Sequence, residues 1–483
     1  MRKLPQAYQN RMKKLLGESF GSFLNTYDEA PRRGLRFNMQ KARQETIEKL
    51  VSAWHLKPVP WCGAGYYYEE NGTHAVRPGL SPYHDAGVFY IQEPSAMIPA
   101  ECAQIQEGER VLDLCAAPGG KSTQAAQCAG LLISNEYIKK RAQILSSNIE
   151  RMGFSNVIVT SSSAEALAET FPLYFDCVLV DAPCSGEGMM RRDEIAVSEW
   201  SEENVGLCAA RQREILDFAF EMVRPGGRLV YSTCTFEPEE NGRQTEAFLQ
   251  RHEELRLFSE EQMYPHTAEG EGHYCAVFRR GQSEEVFRGM QQEKKLSNLQ
   301  QGKKFGNLQQ GKKLGNLQQE ELLQSAAERL RKKRIPILRC GVEPGERIVG
   351  KHRGEERYEP SHAEALSLRE EALSANSLDL LAEGAALSYL RGEALDLRQL
   401  PETSYRLRFE PNNSANRSAE AKQGKEMRLQ GKCSSGKKRG QKTQQEAQKG
   451  IFIPVCYDGY PLGWGKLTGN TVKNHYPKGL RRH

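Results

Sequence analysis

The chain of 483 residues contains no uninterrupted apolar run of the roughly eighteen residues that a membrane-crossing helix needs. Its opening residues, Met1-Arg-Lys-Leu-Pro5, carry no apolar stretch of the signal-peptide kind. A soluble, cytoplasmic protein with no membrane attachment is therefore expected. The twelve cysteines include no Cys-x-x-Cys pair and are scattered along the chain. That pattern speaks against a disulfide framework and for reduced thiols in a reducing compartment. The ten histidines form no ligand-spaced cluster, so no metal centre is expected.

Charge is plentiful but unevenly placed. Eleven Lys/Arg stand against three Glu between 294 and 334, and ten against three between 411 and 450. The rest of the chain is thus acidic although the whole carries +5. Basic, polar segments of this kind serve as solvated linkers or as nucleic-acid arms.

Periodicity divides the chain further. Residues 1–105 read as a mixed N-terminal α/β cap, with helices at Ala7–Leu16 and Gln44–His55 and a turn-rich aromatic stretch at Tyr66, Tyr67 and Tyr68. The block 106–280 alternates apolar strands (110–116, 131–136, 156–160, 177–183 and 228–234) with helical stretches, the pattern of a parallel, doubly wound α/β sheet. A last pair, 255–258 and 273–279, is expected to close the sheet edge as an antiparallel hairpin. A nine-residue repeat follows (294–302, 303–311, 312–320) within a basic linker spanning 281–334. Its Lys-Lys, Gly and Gln content offers too little apolar surface for a core. An accessory domain is expected at 335–410, with a strand at Ile335–Leu338 and helical segments from His362 onward. A second basic linker covers 411–449, and 450–483 reads as the end of a small β-rich module that this linker interrupts.

Three motifs carry chemistry. The first strand runs into Val111-Leu-Asp-Leu-Cys115-Ala-Ala-Pro-Gly119-Gly-Lys121-Ser-Thr123, a Gly-rich turn opening a helix, where backbone N–H groups are left for a ligand. It nearly spells a phosphate-binding P-loop, but Cys115 stands where the first Gly belongs. The second strand ends in Glu136, an acid placed to accept hydrogen bonds from ribose hydroxyls. A nucleoside-type cofactor is expected; the alternative is a P-loop ATPase with Asp181 as magnesium ligand. The later strands end in Asp181-Ala-Pro-Cys184-Ser-Gly186 and Tyr231-Ser-Thr-Cys234-Thr235. Both cysteines fall at carboxyl ends of strands and should face one cleft. A thiolate there suits addition to C6 of cytosine, which makes C5 nucleophilic toward a methyl sulfonium. Asp181 is placed for the N3/N4 edge of the base, where it would hold a proton.

The three blocks, Asp113–Lys121, Asp181–Gly186 and Tyr231–Thr235, resemble in order and spacing the signatures of the Nol/Nop/Sun (Fmu) RNA cytosine-5 methyltransferases. The resemblance implies a Rossmann-like class I methyltransferase domain using S-adenosylmethionine. It implies Cys234 as nucleophile and Cys184 as the residue that assists adduct breakdown and enzyme release. Cys115, Ala116, Ala117, Pro118, Gly119, Gly120, Lys121, Glu136 and Asp181 would line the cofactor pocket. Where the family has an aspartate after the third strand, this chain reads Thr160-Ser-Ser-Ser163, leaving Ser163 to contact the adenine. Arg36-Phe-Asn38 and Tyr90–Ala96 resemble the family's RNA-side region, in its bacterial RsmF-like branch. Leu462–Lys466 and Lys473–Arg481 resemble that branch's PUA-like RNA-binding module. The implied substrate is small-subunit ribosomal RNA or an assembly particle, acted on by a monomer. Lys466, Lys473, Lys478, Arg481 and Arg482 interleaved with Trp464 and Tyr476 fit phosphate contact and base stacking. Rival expectations are a transfer-RNA cytosine methyltransferase, a DNA cytosine methyltransferase attacking from Cys184, and a non-catalytic RNA-binding ribosome-assembly factor on the same fold.

Overall fold

The computed structural model describes residues 4–281, 316–341, 346–352, 355–360, 362–368, 373, 376–409 and 451–482. The repeats from 294 to 315 and the linker 411–449 lie outside the described residues. The chain forms two compact units. One comprises 1–77, 89–149 and 154–341, the other 78–88, 150–153 and 342–483. Among the described residues no helix is long and apolar enough to cross a membrane.

The first unit opens with a small sheet of β1 (Gly34–Phe37), β2 (Lys57–Pro58), β3 (Gly65–Tyr67) and β4 (Phe89–Ile91), in the order β2-β3-β1-β4. The expected N-terminal helices form at Gln6–Leu16 and Gln44–Ala53. This segment is no detached cap, because Leu4, Tyr8, Met12, Phe23 and Tyr27 share one core with Met190, Trp200, Val205 and Phe236. Tyr8 and Tyr27 satisfy each other's buried hydroxyls at 2.7 Å, and Arg11 pairs with Glu237 and Glu239.

The main sheet contains β5 (Arg110–Asp113), β6 (Leu131–Asn135), β7 (Val157–Thr160), β8 (Phe175–Asp181), β9 (Val223–Thr233), β10 (Leu255–Met263), β11 (His273–Arg280) and β12 (Ile337–Cys340). Their order is β10-β11-β9-β8-β5-β6-β7-β12. The five central strands β9, β8, β5, β6 and β7 are parallel, as the alternating pattern predicts. Their apolar runs are buried on both faces, which parallel strands between helix layers require. The β10–β11 hairpin closes one edge antiparallel. Chain direction turns outward on both sides of β5, toward β6 and toward β8. The crevice beyond the carboxyl ends of β5 and β8 is therefore the switch point where such sheets take ligands.

Two sequence boundaries need correction. The segment expected to be linker up to 334 contains a helix, Asn316–Lys332, in which Ala326, Ala327 and Leu330 are buried and Leu323 partly so. These positions follow i, i+3, i+4, i+7, an apolar stripe that the Lys- and Gln-rich composition conceals. The strand expected to open the accessory domain is β12, which pairs antiparallel with β7 and so extends the main sheet.

In the second unit, a hairpin of β13 (Glu346–His352) and β14 (Glu355–Pro360) accompanies a six-stranded sheet. That sheet joins β15 (Asn376–Leu380), β16 (Leu395–Asp396) and β17 (Tyr405–Phe409) to β18 (Ile451–Tyr457), β19 (Tyr460–Thr468) and β20 (Thr471–Asn474), in the order β16-β20-β19-β18-β15-β17. One β-rich module is thus built from both sides of the 411–449 segment, with β15 and β18 running parallel. Its core includes Leu378, Leu380, Tyr389, Ile453, Val455, Leu462 and Val472. Residues 78–88 join it through a hydrogen bond of 2.6 Å from the Tyr83 hydroxyl to Asp458 and through the Asp85–Arg482 ion pair.

Leu330→Ala is expected to lower the stability of the first unit by about 2–5 kcal/mol, the usual cost of emptying a leucine-sized core site. Denaturant unfolding measures this, and an unchanged midpoint would detach the helix from the core.

Candidate active site

A cavity of about 300 Å³ opens at the switch point. The turn after β5, Cys115, Ala116, Ala117, Pro118, Gly120 and Lys121, forms one wall. Tyr90, Ile91, Gln92 and Glu93 form another, and Asp181, Cys234 and His273 line the floor. Most of the predicted loop residues, with Asp181 and Cys234, therefore meet in one place. Gly119 holds the turn with φ +114°, a conformation that favours glycine. Arg141 and Asn148 donate to the carbonyls of Ala117 and Pro118 at 3.1 and 2.9 Å and fix its outer side. Arg36, wholly buried, donates to Gln92 Oε1 at 3.0 Å, to the Gly120 carbonyl at 3.0 Å and to Thr123 Oγ1 at 2.8 Å. The Arg36-Phe-Asn38 motif, read from sequence as RNA-facing, instead braces the first turn of the helix behind the loop.

Lys121 is turned inward, its Nζ 2.7 Å from Asp181 Oδ2. A lysine held on a carboxylate in this way is directed away from the phosphate cradle of a P-loop. Ser232 Oγ donates to the other oxygen of Asp181 at 2.8 Å. Burial opposes ionisation of Asp181, but the charge of Lys121 outweighs it and holds the carboxyl well below the ordinary carboxylate range. Asp181 is therefore an ionised acceptor in the free protein. Burial, followed by the charge of Lys121, pushes the pKa of His273 down, so its imidazole is neutral.

The two strand-end cysteines meet with their sulfurs 3.4 Å apart. Cys234 lines the cavity and Cys184 sits directly behind it. The proximity of Cys234, together with burial, pushes the Cys184 thiol well above its usual range, so Cys184 keeps its proton. A dense bonding network fixes this pair. Ser185 donates from its backbone to Glu240 at 3.0 Å, Gln212 bridges Glu240 and the Pro183 carbonyl, and Ser185 and Thr235 hydroxyls meet at 2.7 Å. Gly188 donates to the Cys234 carbonyl at 2.8 Å. A Cβ there would lie only 2.9 Å from that oxygen, which explains the glycine.

Three predicted cofactor residues lie outside the cavity lining: Gly119, which shapes the turn, Glu136 and Ser163. Glu136 accepts from the Ile138 backbone at 2.9 Å and pairs with Arg141 at 3.4 Å, beside the Gly-rich turn. Ser163 caps the helix Ala164–Thr170, its Oγ accepting from Ala166 at 3.2 Å. In the second unit the aromatic–cation reading also changes. Tyr476 is buried and Arg482 is committed to Asp85, so neither is available to RNA. Lys466 and Lys473 instead stand directly opposite each other on β19 and β20, with Lys466 over the Phe452 ring.

One residue that sequence reasoning passed over is Asp113, a carboxylate closing an otherwise apolar strand. It is fully buried in the cavity wall, with Oδ2 bonded to Ser122 at 2.7 Å and Oδ1 without a partner. Burial raises its pKa to about 7, with the Ser122 hydrogen bond opposing and the charge of Asp181 adding. An acid with a raised folded-state pKa stabilises the fold while protonated and loses that contribution as pH climbs from its unfolded value toward about 7. Asp113→Asn removes the dependence. Wild-type stability relative to the variant is expected to fall, by at most about 4 kcal/mol, between about pH 4 and pH 8. Urea unfolding at both ends of that range checks this, and a constant difference would refute it.

The chain matches three family descriptions in order: the N-terminal domain of 16S rRNA methyltransferase RsmF over 4–94, 16S rRNA methyltransferase RsmB/F over 100–280, and the methyltransferase RsmF PUA domain over 437–482. It is similar to the ribosomal RNA small subunit methyltransferase F of Klebsiella pneumoniae (strain 342), at 40% identity over 51% of this chain and 54% of that one. The corresponding protein of Enterobacter sp. (strain 638) is 42% identical over 46% of this chain and 48% of that one. The chain thus spans about half the length of the curated relatives it matches. Among solved structures, a methyltransferase homolog protein from Pyrococcus horikoshii aligns with a TM-score of 0.51 at 27% identity, over 57% of this chain and 95% of that one. PH0851 aligns with a TM-score of 0.54 at 25% identity, over 57% and 66%. In its sheet, its paired strand-end cysteines and three consecutive matches to one kind of enzyme, the chain is similar to the RsmB/F methyltransferases.

Proposed function

We propose that the protein is an S-adenosylmethionine-dependent RNA (cytosine-5)-methyltransferase acting in the cytoplasm on small-subunit ribosomal RNA. The observation that carries the reading is the Cys184–Cys234 pair, 3.4 Å apart, beside a cavity that also holds the Lys121–Asp181 ion pair and the Gly-rich turn. The chain's own groups fit the cofactor. Asp113 Oδ1, buried in the wall without a partner, suits a cationic ligand group, and the turn from Cys115 to Lys121 leaves backbone room for a nucleoside. Glu136 remains the proposed ribose acceptor, reached by giving up its bond to Arg141. Ser163 remains the proposed adenine contact.

Cys234 adds as a thiolate to C6 of the flipped-out cytosine, and the C5–C6 π electrons become available at C5. S-adenosylmethionine, when bound, supplies the electrophilic methyl group that C5 takes up. Asp181, ionised and fixed by Lys121 and Ser232, accepts from the exocyclic amino group and so distinguishes cytosine from uracil. Solvent admitted to the open cavity takes the C5 proton; the C5–H electron pair re-forms the C5–C6 double bond, and the C6–S bond breaks with its pair on the Cys234 sulfur, which leaves as thiolate. Cys184, held as a thiol within reach of that sulfur, donates to it as it departs and so assists release. Cys234 is the one of the pair that lines the cavity, which favours it over Cys184 as the attacking sulfur.

Wild type, Cys234→Ala and Cys184→Ala are to be compared with labelled methyl donor on naked small-subunit RNA, assembly particles and transfer RNA. Cys234→Ala is expected to lose product and adduct. Cys184→Ala is expected to accumulate a gel-stable protein–RNA adduct. Attack abolished only by Cys184→Ala would reverse the roles, and a wild type inactive on every RNA would favour a non-catalytic binder. The facing lysines of the second unit generate a separate expectation. Like charges placed opposite each other on paired strands are destabilising unless an anion relieves them. Lys466→Glu with Lys473→Glu should lower RNA affinity at least about tenfold and flatten its salt dependence, leaving turnover at saturating RNA intact. Unchanged affinity and salt slope would remove this face from the RNA interface.

A further inference from the structure

His273 is a buried, cavity-facing histidine that neither the cysteine chemistry nor the cofactor loop uses. It opens β11, and because Tyr274 pairs with Thr233, His273 lies beside the strand end that carries Cys234. Its side chain is 3% exposed, it lines the cavity with Cys234, Lys121 and Asp181, and its Nε2 has no hydrogen-bond partner. That nitrogen lies 3.5 Å from Asp181 Oδ1, just beyond an ordinary hydrogen bond.

The residues before His273 are clamped. Glu271 forms a buried ion pair of 3.2 Å with Arg191 and accepts from the Arg32 backbone at 2.7 Å, while its own backbone N–H donates to Glu93 at 2.9 Å. Gly272 adopts φ +100°, and a Cβ there would meet the Phe236 ring at 2.4 Å. The imidazole is therefore presented to Asp181 from a fixed backbone. Lys121 holds Oδ2 of that carboxylate at 2.7 Å and Ser232 holds Oδ1 at 2.8 Å. A third donor on Oδ1 would leave the carboxylate one orientation toward the cavity.

We propose that His273 is a positioning residue for Asp181: in its neutral Nε2–H tautomer it donates to Oδ1 and fixes the carboxylate for the amino group of the target cytosine. The proposal rests on the cytosine-5 reading for its functional half only, since the tautomer and the donor direction are properties of the free protein. Carboxylates bind best where the donors are already arranged, because no reorganisation is then needed when substrate arrives.

The test uses the full chain as wild type, His273→Phe, His273→Gln and Asp181→Asn. In free protein carrying ¹⁵N-labelled histidine, His273 is expected as the neutral Nε2–H tautomer across neutral pH, with the Nε2–H signal moved in Asp181→Asn. A bare Nε2, or a signal indifferent to Asp181, overturns the proposal whatever the enzyme does. In methyl transfer, His273→Phe is expected to lose roughly tenfold or more in kcat/KM, the scale of one hydrogen bond to a charged group. His273→Gln, whose amide N–H can donate to Oδ1, should recover most of it. Equal loss in both variants, with thermal unfolding unchanged, assigns the histidine a packing role and overturns the proposal. A wild type with the expected tautomer but no 5-methylcytosine product refutes the cytosine-5 reading and, with it, the substrate half.

Discussion

The pairing of Lys121 with Asp181 ties the Gly-rich turn after β5 to the end of β8, and the rest of the site is arranged around it. The lysine is buried and the carboxylate only part-exposed, so neither charge could be left alone without a penalty of several kcal/mol. That constraint decides what the turn is for. A lysine free to swing outward would suit phosphates, whereas one held on Asp181 closes the cavity floor and keeps the carboxylate ionised. Ser232 and His273, from the two strands on the far side of β8, complete the surroundings of the same group.

Around this floor the fold sorts two sulfurs that are chemically alike. Both follow parallel strands and both are half-buried within one contact of each other, yet only Cys234 lines the cavity. The difference comes from what lies behind them. Glu240, Gln212 and Ser185 immobilise the Cys184 loop, and the Gly188 turn presses on the Cys234 backbone. The N-terminal segment contributes to the same end. Arg36 braces the helix behind the turn, and Arg11 fixes the acids that follow the Cys234 strand.

The second unit shows a different economy of charge. Much of its cationic tail is engaged within the unit, as with Arg482 on Asp85, and its aromatic Tyr476 is part of the core. What remains on the surface as a paired feature is Lys466 facing Lys473 across two strands. The composition of the tail suggested a diffuse basic patch, whereas the strand register sets two of its lysines directly opposite each other.

Local pattern alone determined the parallel sheet, the closing hairpin, the Gly-rich turn and the convergence of Asp181, Cys184 and Cys234 at strand ends. Each of these follows from residue order, because alternating strands and helices in a right-handed parallel sheet bring successive strand ends to one edge. The split β-module around 411–449 was legible for the same reason, in the return of apolar alternation at Ile451. The helix Asn316–Lys332 was hidden because its stripe is only four residues wide in a Lys- and Gln-rich context. Glu136 and Ser163 were assigned by position, but their side chains answer to local donors, the Ile138 and Ala166 N–H groups. His273 escaped because its role depends on a partner far away in sequence, Asp181, and Asp113 because its significance lies in its burial. The sequence by itself determined which chemistry is present and at which strand ends; only the tertiary structure decided which charges are buried together, because burial and charge pairing, not residue type, set which groups are ionised and which way they face.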